Sequence, residues 1–595
     1  MKNVIHSTRA QLLEQLWTTA PNVHAVLRRA ASLSQARDRM FAYLNALERA
    51  FYNVGARGPY QHLPGSIKQR AKECIRVLKN TFRTENELVT HTSALRRLHT
   101  LALLRPGARI HASQGFLCEY LYLFKGAHGV PVGQLPAHAA SDEHDDHAAA
   151  VQRSRELDGY ARALEQASAR YRVGLERGLV AEQRAMKARI LRHFDAGNRD
   201  WRNARWQLAH IIRDVKTLDA LVHLEDDERA GLAAAATFRI PVQITPYYLS
   251  LFHHAGRTDW DRAVRSLVIP SVHYCTVVAD NRARGADSDF MAEHSTSPIA
   301  GVTRRYPQIV ILKPFDSCPQ LCVYCQRNWE VTSLDQARVR SDALDKAIDW
   351  IRRHASITEV LVTGGDPVTL DDRRLGRIIE SLAAINHVER IRIGTRVPVT
   401  MPCRITGAFV SMLGRHHAPG RREICLVTHV ESPRELTPDV RDAVTRIRRA
   451  GISVYNQQVF TYYNSRRFET AFLRRKLRLC GIEPYYTFNT KGKDETVDFR
   501  VPIARIEQER KEEARLLPGL ARTDEPVFNV PRLGKSNLRA WQDHEPIMIT
   551  PDGRRVYRFF PWESGLAATE EYVYTDVSIT DYLRRLAGDG EDVAA

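Results

Sequence analysis

Residues 317–329 read S-C-P-Q-L-C-V-Y-C-Q-R-N-W and set Cys318, Cys322 and Cys325 in a C-x3-C-x2-C arrangement. Three thiols so close together restrict the chain to a scaffold that can hold them around one centre. Thiolates are the ligands of iron–sulfur clusters, and three of them leave one iron of a four-iron cluster open to a further ligand. A zinc knuckle would need a fourth ligand from a second Cys/His pair. Three unrelated buried cysteines would need no metal at all. The spacing favours the cluster over both.

The rest of the composition bounds the setting. At 595 residues the chain exceeds one ordinary core, so two or three domains are expected. No stretch of about 18 apolar residues occurs, and residues 1–17 carry no apolar run behind their basic ones, so neither membrane spanning nor secretion is expected. The six cysteines outside the motif (Cys74, Cys118, Cys275, Cys403, Cys425, Cys480) are scattered, which is no disulfide framework and suits a reducing, cytoplasmic interior. The formal charge of +18 raises the question of nucleic acid. Its distribution argues against that partner, because the arginines alternate with acids on helical patterns and no aromatic-rich recognition strand accompanies them.

Residues 1–132 read as a helical domain, with Leu12, Leu13, Leu16 and then Phe41, Leu44, Leu47 at helical spacing. Residues 133–198 read as a polar linker followed by one long helix over 158–194. His144, Asp145, Asp146 and His147 bear ligand-type side chains there, but nothing apolar fixes them. Residues 199–300 form a helical lead-in. Six short, apolar, mostly β-branched runs follow, at 309–315, 359–363, 390–394, 424–428, 453–460 and 484–488, with helical patterns between them. The predicted fold class is α/β, a partial (β/α)6 barrel over residues 301–545. Residues 546–595 read as a C-terminal β-hairpin cap, with Pro551-Asp552-Gly553 at its turn.

In parallel α/β folds chemistry gathers past the carboxyl ends of the strands. The cysteine motif follows the first run, Gly364-Gly365-Asp366 the second, Arg396 the third and His429 the fourth; Gln458 interrupts the fifth and Lys491 follows the sixth. One such coincidence is weak, and six together are strong.

In order along the chain, I-T-P-Y-Y-L-S, R-Y-P, the cysteine motif, T-G-G-D, R-I-G-T-R-V-P-V, T-H, N-Q-Q-V and P-Y-Y resemble the lysine 2,3-aminomutases. These are radical S-adenosylmethionine (SAM) enzymes that also bind pyridoxal phosphate (PLP). The likeness covers residues 200–545 and leaves roughly the first 195 outside it. It implies that Cys318, Cys322 and Cys325 hold a [4Fe-4S] cluster whose open iron chelates SAM. Gly364 and Gly365 would let backbone approach that cofactor, Asp366 or a neighbouring backbone carbonyl would meet its ammonium, and Arg396, His429 and Gln458 its carboxylate and ribose. Lys535 would carry the PLP, although most of the family's glycines before it are replaced here by Pro531, Arg532 and Leu533. Arg305 would bind the PLP phosphate and Arg327 the substrate α-carboxylate, each through a guanidinium fork.

Substrate choice falls to Lys491 and Asn529. They stand where lysine-acting members carry two aspartates for the substrate's distal ammonium, and the same pair resembles glutamate 2,3-aminomutases. A cation and an amide cannot replace two carboxylates around an ammonium. The resemblance therefore implies an isomerase that converts L-glutamate to 3-aminoglutarate, served by an unidentified reductase or other electron donor. Lysine or arginine, with Asp494 and Asp498 as counter-charges, is the alternative substrate, and an interaction module in the N-terminal region is another reading. Homo-oligomerisation is left open.

Overall fold

The computed structural model describes residues 5–52, 58–105, 107–130, 146–338, 341–490, 492–540, 543–567 and 569–593. The chain forms two compact units: residues 155–501 with 506–537, and residues 1–154 with 502–505 and 538–595.

The larger unit is built on a nine-stranded sheet whose spatial order follows the chain. Its strands are β1 (Val302–Thr303), β2 (Ile309–Phe315), β3 (Glu359–Gly364), β4 (Arg390–Gly394), β5 (Glu423–Thr428), β6 (Ser453–Phe460), β7 (Glu483–Asn489), β8 (Glu525–Val530) and β9 (Gly534–Asn537). From β2 to β8 every neighbouring pair is parallel, and β1 and β9 close the edges in antiparallel fashion. The six expected runs are β2 to β7, and a seventh parallel strand, β8, extends the series beyond six β/α units. Its sequence E-P-V-F-N-V contains a proline, which reads as a strand breaker. Pro526 sits one residue before the β8–β9 register begins at Val527, so its missing N–H costs no ladder bond on that side.

Helices return the chain between strands and cover the sheet. In Asp372–Ala383, Asp371 caps the first turn by accepting from the Arg374 N–H, and Leu375, Ile378, Ile379 and Leu382 form the buried stripe. Val360 and Val362 of β3 are fully buried under such helices, each contributing about 1.5–3 kcal/mol of burial free energy. The expected single helix over 158–194 is instead two, Asp146–Ser168 and Arg177–His193. The break is fixed by Gly174, whose N–H donates to the Pro433 carbonyl at 3.0 Å and whose added Cβ would lie 2.3 Å from the Arg434 carbonyl oxygen. Asp146 and His147 begin the first of these helices, while His144 and Asp145 fall outside the described residues.

The smaller unit joins the two ends of the chain. Helices Arg9–Thr19, Leu33–Tyr52, Gly65–Phe82 and Gln114–Ala127 bury Leu12, Leu16, Leu44, Leu47 and Phe116 together. Into the same core go Ile547, Met548, Ile549 and Val556 from an antiparallel sheet of β10 (His544–Ile549), β11 (Arg555–Phe559) and β12 (Tyr572–Thr575). The expected separate hairpin cap is thus a three-stranded sheet that shares the N-terminal helical core. Its turn is where Pro-Asp-Gly placed it: Gly553 (φ +87°) packs so closely that a Cβ would lie 2.6 Å from the Phe116 nitrogen. No helix among the described residues is long and apolar enough to cross a membrane.

Candidate functional site

The cysteine loop leaves the carboxyl end of β2 and is pinned from several directions. Gln243 Nε2 donates to the Cys318 carbonyl at 2.9 Å, while its Oε1 accepts from the Leu334 N–H at 2.9 Å. The Gly365 N–H donates to the Phe315 carbonyl at 2.9 Å and the Asp366 N–H to the Ser317 carbonyl at 2.9 Å. A Cβ on Gly365 would stand 2.2 Å from the Ser317 oxygen, so the glycine is required by the loop that carries Cys318. Cys318, Cys322 and Cys325 line one cavity of about 110 Å³ together with Val268, Pro270 and Gln320. Burial drives the Cys318 thiol well above its usual pKa, an effect reinforced by Asp366, and raises Cys322 to about 11 against the pull of Arg396. A cation bound by their sulfurs would displace both protons.

No three Cys, His, Asp or Glu side chains among the described residues already converge as a metal site. The donor set nevertheless fits a thiolate-held cluster. The three thiols share one cavity wall, and among the described residues the buried Gln320 amide in that wall has neither polar atom partnered.

The other strand ends behave less uniformly. Asp366 is wholly engaged in the protein: its Oδ1 accepts from Thr395 Oγ1 at 2.7 Å and its Oδ2 from the Arg396 N–H at 2.8 Å. Burial raises its pKa to about 6. Arg396 spends its guanidinium on the Cys322 thiol (2.9 Å), the His429 carbonyl (3.1 Å), the Tyr248 hydroxyl (3.2 Å) and Glu435 Oε1 (2.5 Å). His429 Nδ1 lies 3.9 Å from Glu431, a carboxyl that burial pushes up to about 8 and that accepts from the Tyr324 hydroxyl at 2.9 Å. Gln458 is buried, and its Oε1 finds no partner among the described residues; Thr428 Oγ1 at the end of β5 shares that condition. Such orphaned acceptors at strand ends are the polarity a bound ligand would satisfy.

Arg327, two residues past Cys325, is paired through Nη2 to Glu293 Oε1 at 2.9 Å. Lys313 holds the same carboxylate at 3.4 Å. Burial works to raise the Glu293 pKa, but the two cations outweigh it and keep the group below the usual range. Arg305 donates to the Met291 carbonyl. Next to it, the Tyr306 hydroxyl accepts from Lys535 Nζ at 3.2 Å, and the ammonium lies over the Tyr306 and Tyr486 rings at 4.7 and 5.6 Å. Lys535 stands directly opposite Asn529 in the β8–β9 hairpin, so the two side chains share a face. Asn529 Nδ2 reaches Gln326 Oε1 at 3.5 Å, beside Cys325. A lysine on a strand, its ammonium against two aromatic rings and Arg305 next in sequence to one of them, fits PLP. Lys491 lies outside the described residues.

Glu293, Tyr248, Glu431 and Glu435 had no role in the sequence reading. Tyr248 lay within the quoted I-T-P-Y-Y-L-S segment, and E-S-P-R-E after T-H holds both buried acids. Two carboxylates so close to a predicted cofactor strand end were the available signal. Lys493, buried and bonded to Asn328 Oδ1 at 2.5 Å and Glu495 at 2.8 Å, is a further cation beside the cysteine loop.

No family model matches the chain. Among curated proteins, the glutamate 2,3-aminomutase of Clostridioides difficile is 33% identical, covering 55% of this chain and 75% of the relative. The L-lysine 2,3-aminomutase of Clostridium subterminale is also 33% identical, over 52% and 71%. An uncharacterized KamA family protein of Methanocaldococcus jannaschii is 38% identical over 606 residues, 97% of this chain and 95% of the relative. That alignment carries the N-terminal residues as well, whereas the two named aminomutases match about half of the chain, in keeping with a likeness to them that leaves the first 195 or so residues out. Matched almost end to end at this identity, the chain belongs to the KamA family.

Proposed function

We propose that the protein is a radical SAM, PLP-dependent amino-acid 2,3-aminomutase, an isomerase that moves the amino group of L-glutamate from C2 to C3 to give 3-aminoglutarate. The open parallel sheet is read as a partial barrel with its active site at the strand carboxyl ends. The observation that carries the reading is the β8–β9 hairpin. It sets Lys535 beside Tyr306 and, through Asn529 and Gln326, against the loop of Cys325 and Arg327. This supports a site in which Cys325 would belong to the radical source, Lys535 would carry the PLP and Arg327 would clamp the carboxylate, close to one another.

Cys318, Cys322 and Cys325 would hold the cluster, Lys535 and Arg305 the PLP, and Gly364, Gly365, His429 and Gln458 would border SAM. Bound there, these groups supply a carbon radical and delocalise the unpaired electron during nitrogen migration. The chain's own part is orientation and dryness. Arg327 fixes the α-carboxylate through its fork, while Tyr306 and Tyr486 confine the Lys535 amine and shield it from water.

Two 33% relatives name different substrates, so overall identity does not choose between them, and the charge argument does. Lys491 and Asn529 favour a distal carboxylate over a distal ammonium. Two alternative counter-charges for an ammonium are engaged elsewhere: Asp494, 87% exposed, pairs with Arg500 at 3.1 Å, and Asp498 accepts from Ser271 Oγ at 2.5 Å. Reduced, cluster-reconstituted protein incubated with SAM, PLP and a panel of amino acids is expected to isomerise glutamate. Turnover of lysine without glutamate would overturn the assignment. The double substitution Lys491→Asp with Asn529→Asp is expected to shift preference toward lysine.

A further inference from the structure

We propose that Arg396 is a positioning residue that raises the reduction potential of the cluster at Cys318, Cys322 and Cys325, acting through the Cys322 sulfur. The inference rests on the cluster assignment made above, and goes beyond it by giving this arginine a task other than SAM contact.

Geometry comes first. Arg396 Nη1 lies 2.9 Å from Cys322 Sγ, and the Nε and Nη2 sides of the guanidinium are fixed by protein. Nε donates to the His429 carbonyl at 3.1 Å, and Nη2 to Tyr248 at 3.2 Å and to Glu435 at 2.5 Å. The partners are themselves locked. Glu435 is fully buried and accepts from the Tyr248 hydroxyl at 2.6 Å, the Glu431 N–H at 2.6 Å and the Ser432 N–H at 3.2 Å. The Arg396 backbone N–H is held by Asp366 Oδ2 at 2.8 Å. The fork therefore cannot swing away from Cys322 without breaking several buried hydrogen bonds.

The chemistry follows from the charge of the two redox states. On reduction the oxidised cluster takes one electron from an external reductant; no bond breaks and no proton moves. The added charge spreads onto sulfur, so a charged donor held against a ligating sulfur stabilises the reduced state more than the oxidised one. Burial strengthens the effect by excluding water. Glu435 offsets part of the arginine charge, but it occupies Nη2 and leaves the Nη1 donor on Cys322.

The test is a potentiometric titration of full-length, anaerobically reconstituted protein, with dithionite as reductant and viologen mediators, read by the electron paramagnetic resonance signal of the reduced cluster. At equal iron content, Arg396→Gln is expected to move the midpoint to a more negative potential. Arg396→Lys, which keeps the charge but not the fork, is expected to fall between that variant and wild type. An unchanged midpoint in Arg396→Gln would overturn the proposal. If Arg396→Gln fails to hold a cluster, the Arg396→Lys midpoint decides in the same way, and loss of the cluster from both would assign the residue to assembly and overturn the tuning role. Wild-type protein that takes up no cluster would instead remove the functional reading itself.

Discussion

Gly365 has no side chain because Ser317 leaves no room for one: the Cβ would sit 2.2 Å from a carbonyl oxygen and 2.5 Å from a nitrogen, both backbone atoms that cannot rotate aside. Gly365→Ala should push the cysteine loop away from β3. Overpacking of this kind costs about 1–3 kcal/mol, and iron bound per chain should fall with it; an alanine variant with wild-type iron content and melting temperature would refute the account. At this scale the T-G-G-D segment was legible as a place of close approach, while its partner was not. The sequence pattern assigned both glycines to a cofactor; in the structure Gly365 also makes room for the Ser317 backbone, and Gly364 for Lys313 and the Phe315 carbonyl. Arg396 shows the same limit. Its position at a strand end could be read from pattern, but the buried Glu435 and Tyr248 that aim it come from distant segments whose packing no local spacing encodes.

Among the elements, β8 and its neighbours depend on a buried ion network. Arg474 Nη2 meets Glu513 at 2.5 Å and its Nε meets Asp524 at 3.3 Å, and Arg510 bonds both acids as well. Burial works against ionisation of Asp524 and Glu513, yet the two arginines outweigh it and hold both folded pKa values low. The folded state thus binds fewer protons than the unfolded chain near the ordinary carboxylate pKa of about 4. This part of the stability is complete above that value and is lost as pH falls below it toward the lower folded values, which acid titration of the melting temperature should show. Arg510→Met leaves buried carboxylates short of a cation and should cost about 3–5 kcal/mol. The β8–β9 turn is equally specific. Pro531, Arg532 and Leu533 span it, with Arg532 at φ +65° and Gly534 at φ +79°. The departure from a glycine-rich segment is therefore a tight turn that still pairs Asn529 with Lys535. One inserted residue should send Lys535 to the opposite face and, under the proposed function, abolish the absorbance of added PLP, whereas periodicity alone revealed neither β8 nor this register.

For the molecule as a whole, the smaller unit has its own pH dependence. Burial pushes Asp576 up to about 7, although the Ile503 and Val577 N–H groups donate to it. Its folded pKa lies above the unfolded value of about 3.9, so the folded state holds the extra proton between the two. Stability of this unit should decline as pH rises from about 4 to 7 and then level off, and Asp576→Asn should flatten the profile measured by hydrogen exchange in Gln114–Ala127. The helical periodicity of residues 1–132 was readable, whereas the residues that complete their core were not, because Ile547, Met548, Ile549 and Val556 lie at the far end of the chain. That arrangement sets an order on the ribosome. The helix ending at Ala127 must wait for β10, which begins at His544, an interval of 544 − 127 = 417 residues. At roughly 5–20 residues per second this is about 20–80 s of synthesis. The larger unit can close first, while the segment made earliest remains without part of its core and is the portion of the nascent chain most in need of a chaperone.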